Sequence, residues 1–177
     1  MTAELTDANT REDWGRPRSR TVTWHEPGPS TAKGLSMPGI DYLRAMAAGD
    51  LPQPPIAGLM RFDSASADPG RVVFTCEPDE SAYNPIGVVH GGYASTILDS
   101  ALGCSVHTML PAGVGYTSQT LEVKYLRPIL RDTGAVRAES VVIHRGQKTA
   151  TAEAKLTSVE SGKLLATGTS TCLLFEL

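Results

Sequence analysis

The chain has 177 residues, a formal net charge of −3 and 6% aromatic residues. That length suits one domain with a substantial core and room for an appendage. The acidic balance and scarce aromatics argue against a nucleic-acid surface, which needs a basic patch. No apolar run reaches membrane-spanning length. The opening Met-Thr-Ala-Glu-Leu-Thr-Asp lacks the apolar stretch of an export signal.

Residues 1–35 are polar, rich in Thr, Pro, Gly and both charges, and without sustained periodicity, which predicts an extended or mobile arm ahead of a domain spanning residues 36–177. Both tryptophans, Trp14 and Trp24, lie in this arm, and Thr21-Val22-Thr23-Trp24 alternates like a short strand. Those features mark a segment able to dock on the body or on a partner subunit. Ser36 is placed to cap a helix from about Pro38 to Ala48, with Ile40, Leu43 and Met46 or Ala47 inward and Gly49 as its stop. Pro52, Pro54 and Pro55 form a rigid joint. The stretch Ile56 to Ser64 starts as a helical turn and becomes strand-like near Phe62. Asp68-Pro69-Gly70 then turns into a second strand, Arg71 to Cys76, completing a hairpin.

The next stretch, Asn84 to Leu110, organises the rest. Asn-Pro and Gly break the chain first. A helix then follows, with Ala94, Leu98, Ala101, Leu102, Ser105 and Met109 on one face at 3.6-residue spacing. Many of its residues are small, as expected of a helix enclosed by a sheet. Two features go beyond packing. Gly91 and Gly92 open the helix where unpaired N–H groups carry partial positive charge, so a ligand oxygen can sit directly on those donors. Asp99 lies two turns in, too deep to cap the helix and at the margin of its apolar face. A carboxylate there usually has a partner or a job.

After the Pro111 to Gly115 loop, four strand-like segments succeed one another: Tyr116–Arg127, Ala135–His144, Lys148–Ser158 and Leu164–Phe175. The first sets Gln119, Leu121, Val123 and Tyr125 against Ser118, Thr120, Glu122 and Lys124. Short turns between successive strands predict an antiparallel meander. A hairpin, one long helix and a run of strands define an α+β architecture with the sheet curled around the helix. No internal repeat is present. Cys76, Cys104 and Cys172 are odd in number and lack metal-ligand spacing. They read as reduced thiols of a cytoplasmic protein with no zinc or haem site.

Asn84, His90-Gly91-Gly92 and Asp99, with six residues before the His and nine after it, resemble the hotdog-fold acyl-CoA thioesterases of the PaaI type. The resemblance runs from roughly Pro38 to the C-terminus and includes Tyr125-Leu126-Arg127-Pro128. It implies hydrolysis of an acyl-CoA without a cofactor or metal. Asp99 would be general base or nucleophile, and the Gly91 N–H the oxyanion donor, with the Asn84 amide beside it. Ser118 would hold the attacking water, with Thr117 or Thr120 as substitutes. His90 would hold Asn84 and Gly91 in place rather than transfer protons. Arg127, Arg131, Arg145 and Lys148, at strand ends and turns, are candidates for the CoA phosphates.

The family also implies a homodimer or dimer of dimers, with Asn84 and Gly91 from one subunit meeting Asp99 and Ser118 of the other. Two rivals share the fold. An enoyl-CoA hydratase or dehydratase usually reads Asn-Pro-Ile-His-x-Asp, whereas this chain reads Asn84-Pro85-Ile86-Gly87. A non-catalytic acyl-CoA-binding module would have no need of Asp99.

Overall fold

The computed structural model describes residues 14–176. Three helices, α1 (Pro27–Leu35), α2 (Gly39–Ala48) and α3 (Pro55–Met60), lead into β1 (Phe62–Asp68) and β2 (Arg71–Cys76). The long α4 (Gly91–His107) follows, then β3 (Val114–Tyr125), β4 (Val136–Arg145), β5 (Thr149–Ser158) and β6 (Leu164–Glu176). The six strands form one antiparallel sheet in the order β1-β2-β4-β5-β6-β3. No helix among the described residues is long and apolar enough to cross a membrane.

Helix α4 touches every strand of the sheet. Ile97, Leu98, Ala101, Leu102 and Val106 lose all solvent contact there. Full burial of each larger aliphatic side chain contributes about 1.5–3 kcal/mol. The facing strands supply small residues in strict alternation: Ala150, Ala152 and Ala154 on β5, Ala166, Gly168 and Ser170 on β6. A Cβ at Gly103 would lie 2.6 Å from the Tyr116 ring, so strand and helix meet at a distance only glycine permits.

Four expectations are corrected. The last four strands are not a simple meander. Strands β4, β5 and β6 are, but β3 crosses to the far side and pairs with β6. The connection from Leu126 to Ala135 is too long for a hairpin and contains a 3₁₀ turn, Arg131–Thr133, while β2 takes the place beside β4. Ser36 does not cap α2. Its hydroxyl donates to Lys33 O at 2.8 Å and closes α1, a helix unforeseen in the polar arm. The start of α2 is fixed instead by Gly39 N–H donating to Leu110 O at 3.0 Å. Met109 is not on the buried face, because α4 stops at His107 and Met109 is 41% exposed. Residues 21–24 form no strand. That segment runs along α3, with Arg20 Nη2 donating to Leu59 O at 2.6 Å and Thr23 O against Gly58. Trp24 stays exposed.

His107 closes α4 between two tyrosines, edge-on to Tyr42 with ring centroids 5.9 Å apart and tilted on Tyr116 at 5.4 Å. Burial lowers its pKa below the usual imidazole value. The unfolded chain therefore binds this proton more readily than the folded one. The stability contributed by neutral His107 is complete above the unfolded pKa of about 6.5 and is lost as pH falls towards the lower folded value. Thermal melts from pH 7.5 to 5 should show His107→Phe losing less stability on acidification than the wild type. An unchanged pH slope in the variant would refute this role.

Candidate active site

The loop before α4 is folded by its own polar atoms. Asn84 Oδ1 accepts the N–H of Ile86 at 3.1 Å and of Val88 at 3.2 Å, while Asn84 N–H donates to Val88 O at 2.8 Å. Gly87 makes this turn possible with φ +81. Because the amide oxygen is used inwards, the Asn84 Nδ2 group is turned away from the loop, and it meets no acceptor among the described residues. Tyr83 and Val89 form an isolated bridge, and His90 N–H donates to Ala82 O at 2.8 Å. These contacts deliver His90 to the N-cap of α4.

His90 Nδ1 accepts the Gly92 N–H at 2.9 Å. A neutral ring that accepts at Nδ1 carries its proton on Nε2. The Tyr93 N–H returns to His90 O at 2.9 Å. Of the opening N–H groups this leaves Gly91, which meets no acceptor among the described residues. It is a donor at the positive end of a helix dipole.

Eight residues further along α4, Asp99 Oδ1 accepts the Ser118 hydroxyl at 2.9 Å. No lysine, arginine or histidine pairs with Asp99 among the described residues. The surroundings are neutral: Cys104, Tyr116 and Cys172 all feel its charge, though burial is the larger cause that raises each pKa. The Cys104 thiol is pushed up to about 12 and is no nucleophile at neutral pH.

Ser118 reaches Asp99 because of a β-bulge. The β3–β6 register shifts between Ser118 and Thr120, leaving Gln119 as an extra residue. Ser118 pairs with buried Cys172 before the shift, and Leu121, Val123 and Tyr125 pair with Ser170, Gly168 and Ala166 after it. Ser118 therefore shares the helix-facing side with Leu121, Val123 and Tyr125. Strict alternation had put it on the opposite side. Thr117, paired with Leu173, lies on the outer face.

The cations fall into two groups. Arg127 and Arg131 lie at the end of the sheet where α4 begins, and Arg127 Nη1 donates to Leu164 O at 2.6 Å. Arg145 and Lys148 flank the β4–β5 turn at the opposite end. The ten residues of β5 between the ends span about 33 Å. Beside Gly91 opens a cleft of about 290 Å³, lined by Val88, Ala94, Tyr125, Leu126, Ile129 and others. Its wall holds a residue that sequence reasoning gave no role. Tyr125 Oη donates to Gly91 O at 3.1 Å and meets Ser95 Oγ at 2.5 Å. Its signal was present in the alternation of β3, which aims Tyr125 at the helix.

Comparison with known proteins shows the family and the fold. The pattern of the thioesterase superfamily matches residues 86–165. Acyl-coenzyme A thioesterase 13 of Homo sapiens is 31% identical over 118 residues, covering 64% of this chain and 79% of that protein. The crystal structure of a phenylacetic acid degradation-related protein from Ralstonia eutropha superposes with a TM-score of 0.68 at 28% identity, covering 75% of this chain and 98% of that one. The PaaI protein of E. coli, from the phenylacetic acid degradation operon, gives 0.67 at 20% identity, covering 79% and 96%. The fold is the hotdog fold expected from the sequence. The chain belongs to the thioesterase superfamily.

The bulge makes a test. Deleting Gln119 removes the extra residue, and the regular ladder that results keeps Ser118, Leu121, Val123 and Tyr125 together on the helix face. Thioester hydrolysis should therefore survive in the deletion, within about tenfold of wild type, and Gln119→Ala, which keeps the backbone count, should stay within about twofold. A fall of about 100-fold or more in the deletion, with native far-UV dichroism, would show that Gln119 is not the residue the bulge sets aside.

Proposed function

We propose that this chain hydrolyses an acyl-CoA to the free acid and CoA. The observation that carries the reading is the bond from Ser118 to Asp99: a carboxylate set midway along a buried helix, held by one hydroxyl and paired with no cation among the described residues. The acyl-CoA substrate class is supported by the relative named for it.

In this reading Ser118 occupies Oδ1 of Asp99 and leaves Oδ2 to take a proton from water, or to attack the carbonyl carbon itself. As the new C–O bond forms, negative charge collects on the thioester oxygen. The Gly91 N–H and Asn84 Nδ2 receive it, the first from the end of a helix dipole and the second from an amide already oriented through its own oxygen. Collapse of that adduct breaks the C–S bond and releases CoA as its thiolate, leaving the free acid when water attacked. When Asp99 attacked, it leaves an anhydride on Asp99 that a water then cleaves to the acid and the free carboxylate. His90 acts by fixing the helix start, since its Nδ1 is engaged with Gly92 N–H. Gly92 then shapes the turn instead of meeting the ligand through its N–H.

One chain does not complete the site. Eight helical residues separate Gly91 from Asp99, about 12 Å along the axis, too far for both to serve one carbonyl. A second copy, presenting its own Asp99 and Ser118 to the first copy's Gly91 and Asn84, resolves the separation. The exposed helix-side edge of β3, paired on one side only by β6, supports β3 as the seam. The CoA phosphates would meet either the Arg127–Arg131 pair or the Arg145–Lys148 pair of a given chain. Residues 36–177 form the catalytic unit, and residues 1–35 an arm with contacts such as Arg18 to Glu80 at 3.1 Å.

The deciding measurement is thiol release from phenylacetyl-, hexanoyl- and palmitoyl-CoA. Asp99→Asn should lose about 10³-fold in turnover while remaining folded. Near-normal turnover would remove Asp99 from the mechanism, and consumption of crotonyl-CoA without thiol release would replace hydrolysis by hydration. Mixing the inactive variants Asp99→Asn and Asn84→Ala should restore roughly a quarter of wild-type activity through mixed dimers. No recovery, with subunit exchange shown by mass spectrometry, would place all four residues in one chain's site.

A further inference from the structure

Two consecutive glycines open α4, and glycine is the residue whose backbone is least restricted. An oxyanion donor built on such a turn would wander unless something held it. The His90 ring holds one side, through the Gly92 N–H. The other side is held from across the sheet. Tyr125 Oη donates to Gly91 O at 3.1 Å, and since a phenol has one proton, the 2.5 Å contact with Ser95 is a bond donated by the Ser95 hydroxyl to the Tyr125 oxygen. Ser95 stands one turn beyond Gly91 on the same helix face. The three groups thus close a small ring of contacts over the first turn.

The fit is steric as well as polar. A Cβ at Gly91 would come within 3.1 Å of the Tyr125 ζ carbon and 3.2 Å of its hydroxyl. No side chain belongs there while the ring lies on the turn. Tyr125 itself is anchored: it ends β3 opposite Ala166, and the N–H groups of Leu126 and Arg127 both donate to Leu165 O, at 2.8 and 3.0 Å. The strand end is therefore a fixed post from which the phenol reaches the helix start.

We propose that Tyr125, steadied by Ser95, is a positioning residue for thioester hydrolysis: it pins the Gly91–Gly92 turn so that the Gly91 N–H stays aimed at the thioester oxygen. The inference rests on the hydrolase reading above and on Gly91 as the oxyanion donor. It acts on the step in which charge develops, so its loss lowers kcat more than it weakens substrate binding. A Tyr125 that merely walled the adjoining cleft would behave otherwise. Its ring, not its hydroxyl, would then matter, and the effect would fall on KM.

The experiment is steady-state thiol release by the full chain and by Tyr125→Phe, Ser95→Ala and the double variant. Tyr125→Phe keeps the ring and removes both hydrogen bonds. Its kcat should fall about tenfold with KM within about threefold. Ser95→Ala should fall less. The double variant should be no worse than Tyr125→Phe, because Ser95 acts through the phenol. Hydrogen exchange followed by mass spectrometry should show peptides covering residues 88–95 exchanging faster in Tyr125→Phe, with the rest of α4 unchanged. Wild-type kcat in Tyr125→Phe, or a loss confined to KM, overturns the positioning role and leaves the hydrolase reading standing. A wild type that releases no thiol from any ester overturns the hydrolase reading and this role together.

Discussion

The closeness of α4 to the sheet is the constraint on which everything else depends. Tyr116 occupies the space a side chain at Gly103 would take, and Leu98 and Leu102 fill the space beside Gly168. A helix held this tightly cannot slide or rotate without driving methylenes into backbone, a costly form of overpacking. Its register is therefore set by steric fit over its whole length. Hydrogen bonds at its ends only trim that register: His90 at the start, and at the finish Thr108, whose hydroxyl accepts from Gly70 N–H at 2.7 Å and donates to Ser105 O at 2.6 Å. Any polar group on α4 is consequently presented at a fixed height and angle.

That rigidity gives the bulge at Gln119 its meaning. A strand facing such a helix alternates, and alternation alone would have put either the hydroxyl of Ser118 or the phenol of Tyr125 on the outside. One extra residue lets both face the helix, seven positions apart on β3 and near opposite ends of the same α4 segment. The bulge leaves an unpaired residue in the ladder, a local cost. It lies on the strand with the most exposed surface of the six, where an interrupted ladder disturbs least core. Strands β5 and β6, each with one buried face, pair without a break from Thr149 opposite Leu173 to Leu156 opposite Ala166.

This also explains what was readable in the chain before its structure. Strand β5 announces itself through Ala150, Ala152, Ala154 and Leu156, all buried, because a strand with one wet face must alternate. The stop of α2 at Gly49 was equally legible, since its φ of +81 is cheap only for glycine. The hairpin of β1 and β2 followed from Asp68-Pro69-Gly70. Strand order was not legible. Nothing local to residues 126–135 says that β3 will pair with β6 instead of β4, for that choice is made by which edge is vacant once β2 has taken β4. Helix α1 escaped notice because it buries no residue and carries no apolar stripe. For the candidate site, Asn84, His90, Gly91 and Asp99 stand out in the sequence through the resemblance of their motif to a known family. The meeting of Asp99 with Ser118 could not, because a bulge has no signature in composition.

The same geometry bears on how much of the site a single fold can hold. A rigid helix fixes the Gly91 donor and the Asp99 carboxylate about 12 Å apart, and the fit at Gly103 and Gly168 leaves no bend that could close the gap. Flexibility therefore cannot bring the two groups together within a chain; symmetry can. In the proposed two-copy site, a rigid α4 becomes an advantage, because each copy offers a donor turn and a carboxylate at a set spacing to the complementary pair of its mate. Precision then has to reside in the two places where rigidity is weakest: the glycine turn at the helix start and the bulged edge strand. Each carries its own brace. Tyr125 and His90 hold the turn from two sides, and Ser118, backed by Cys172 across the β3–β6 ladder, ties the bulge to Asp99.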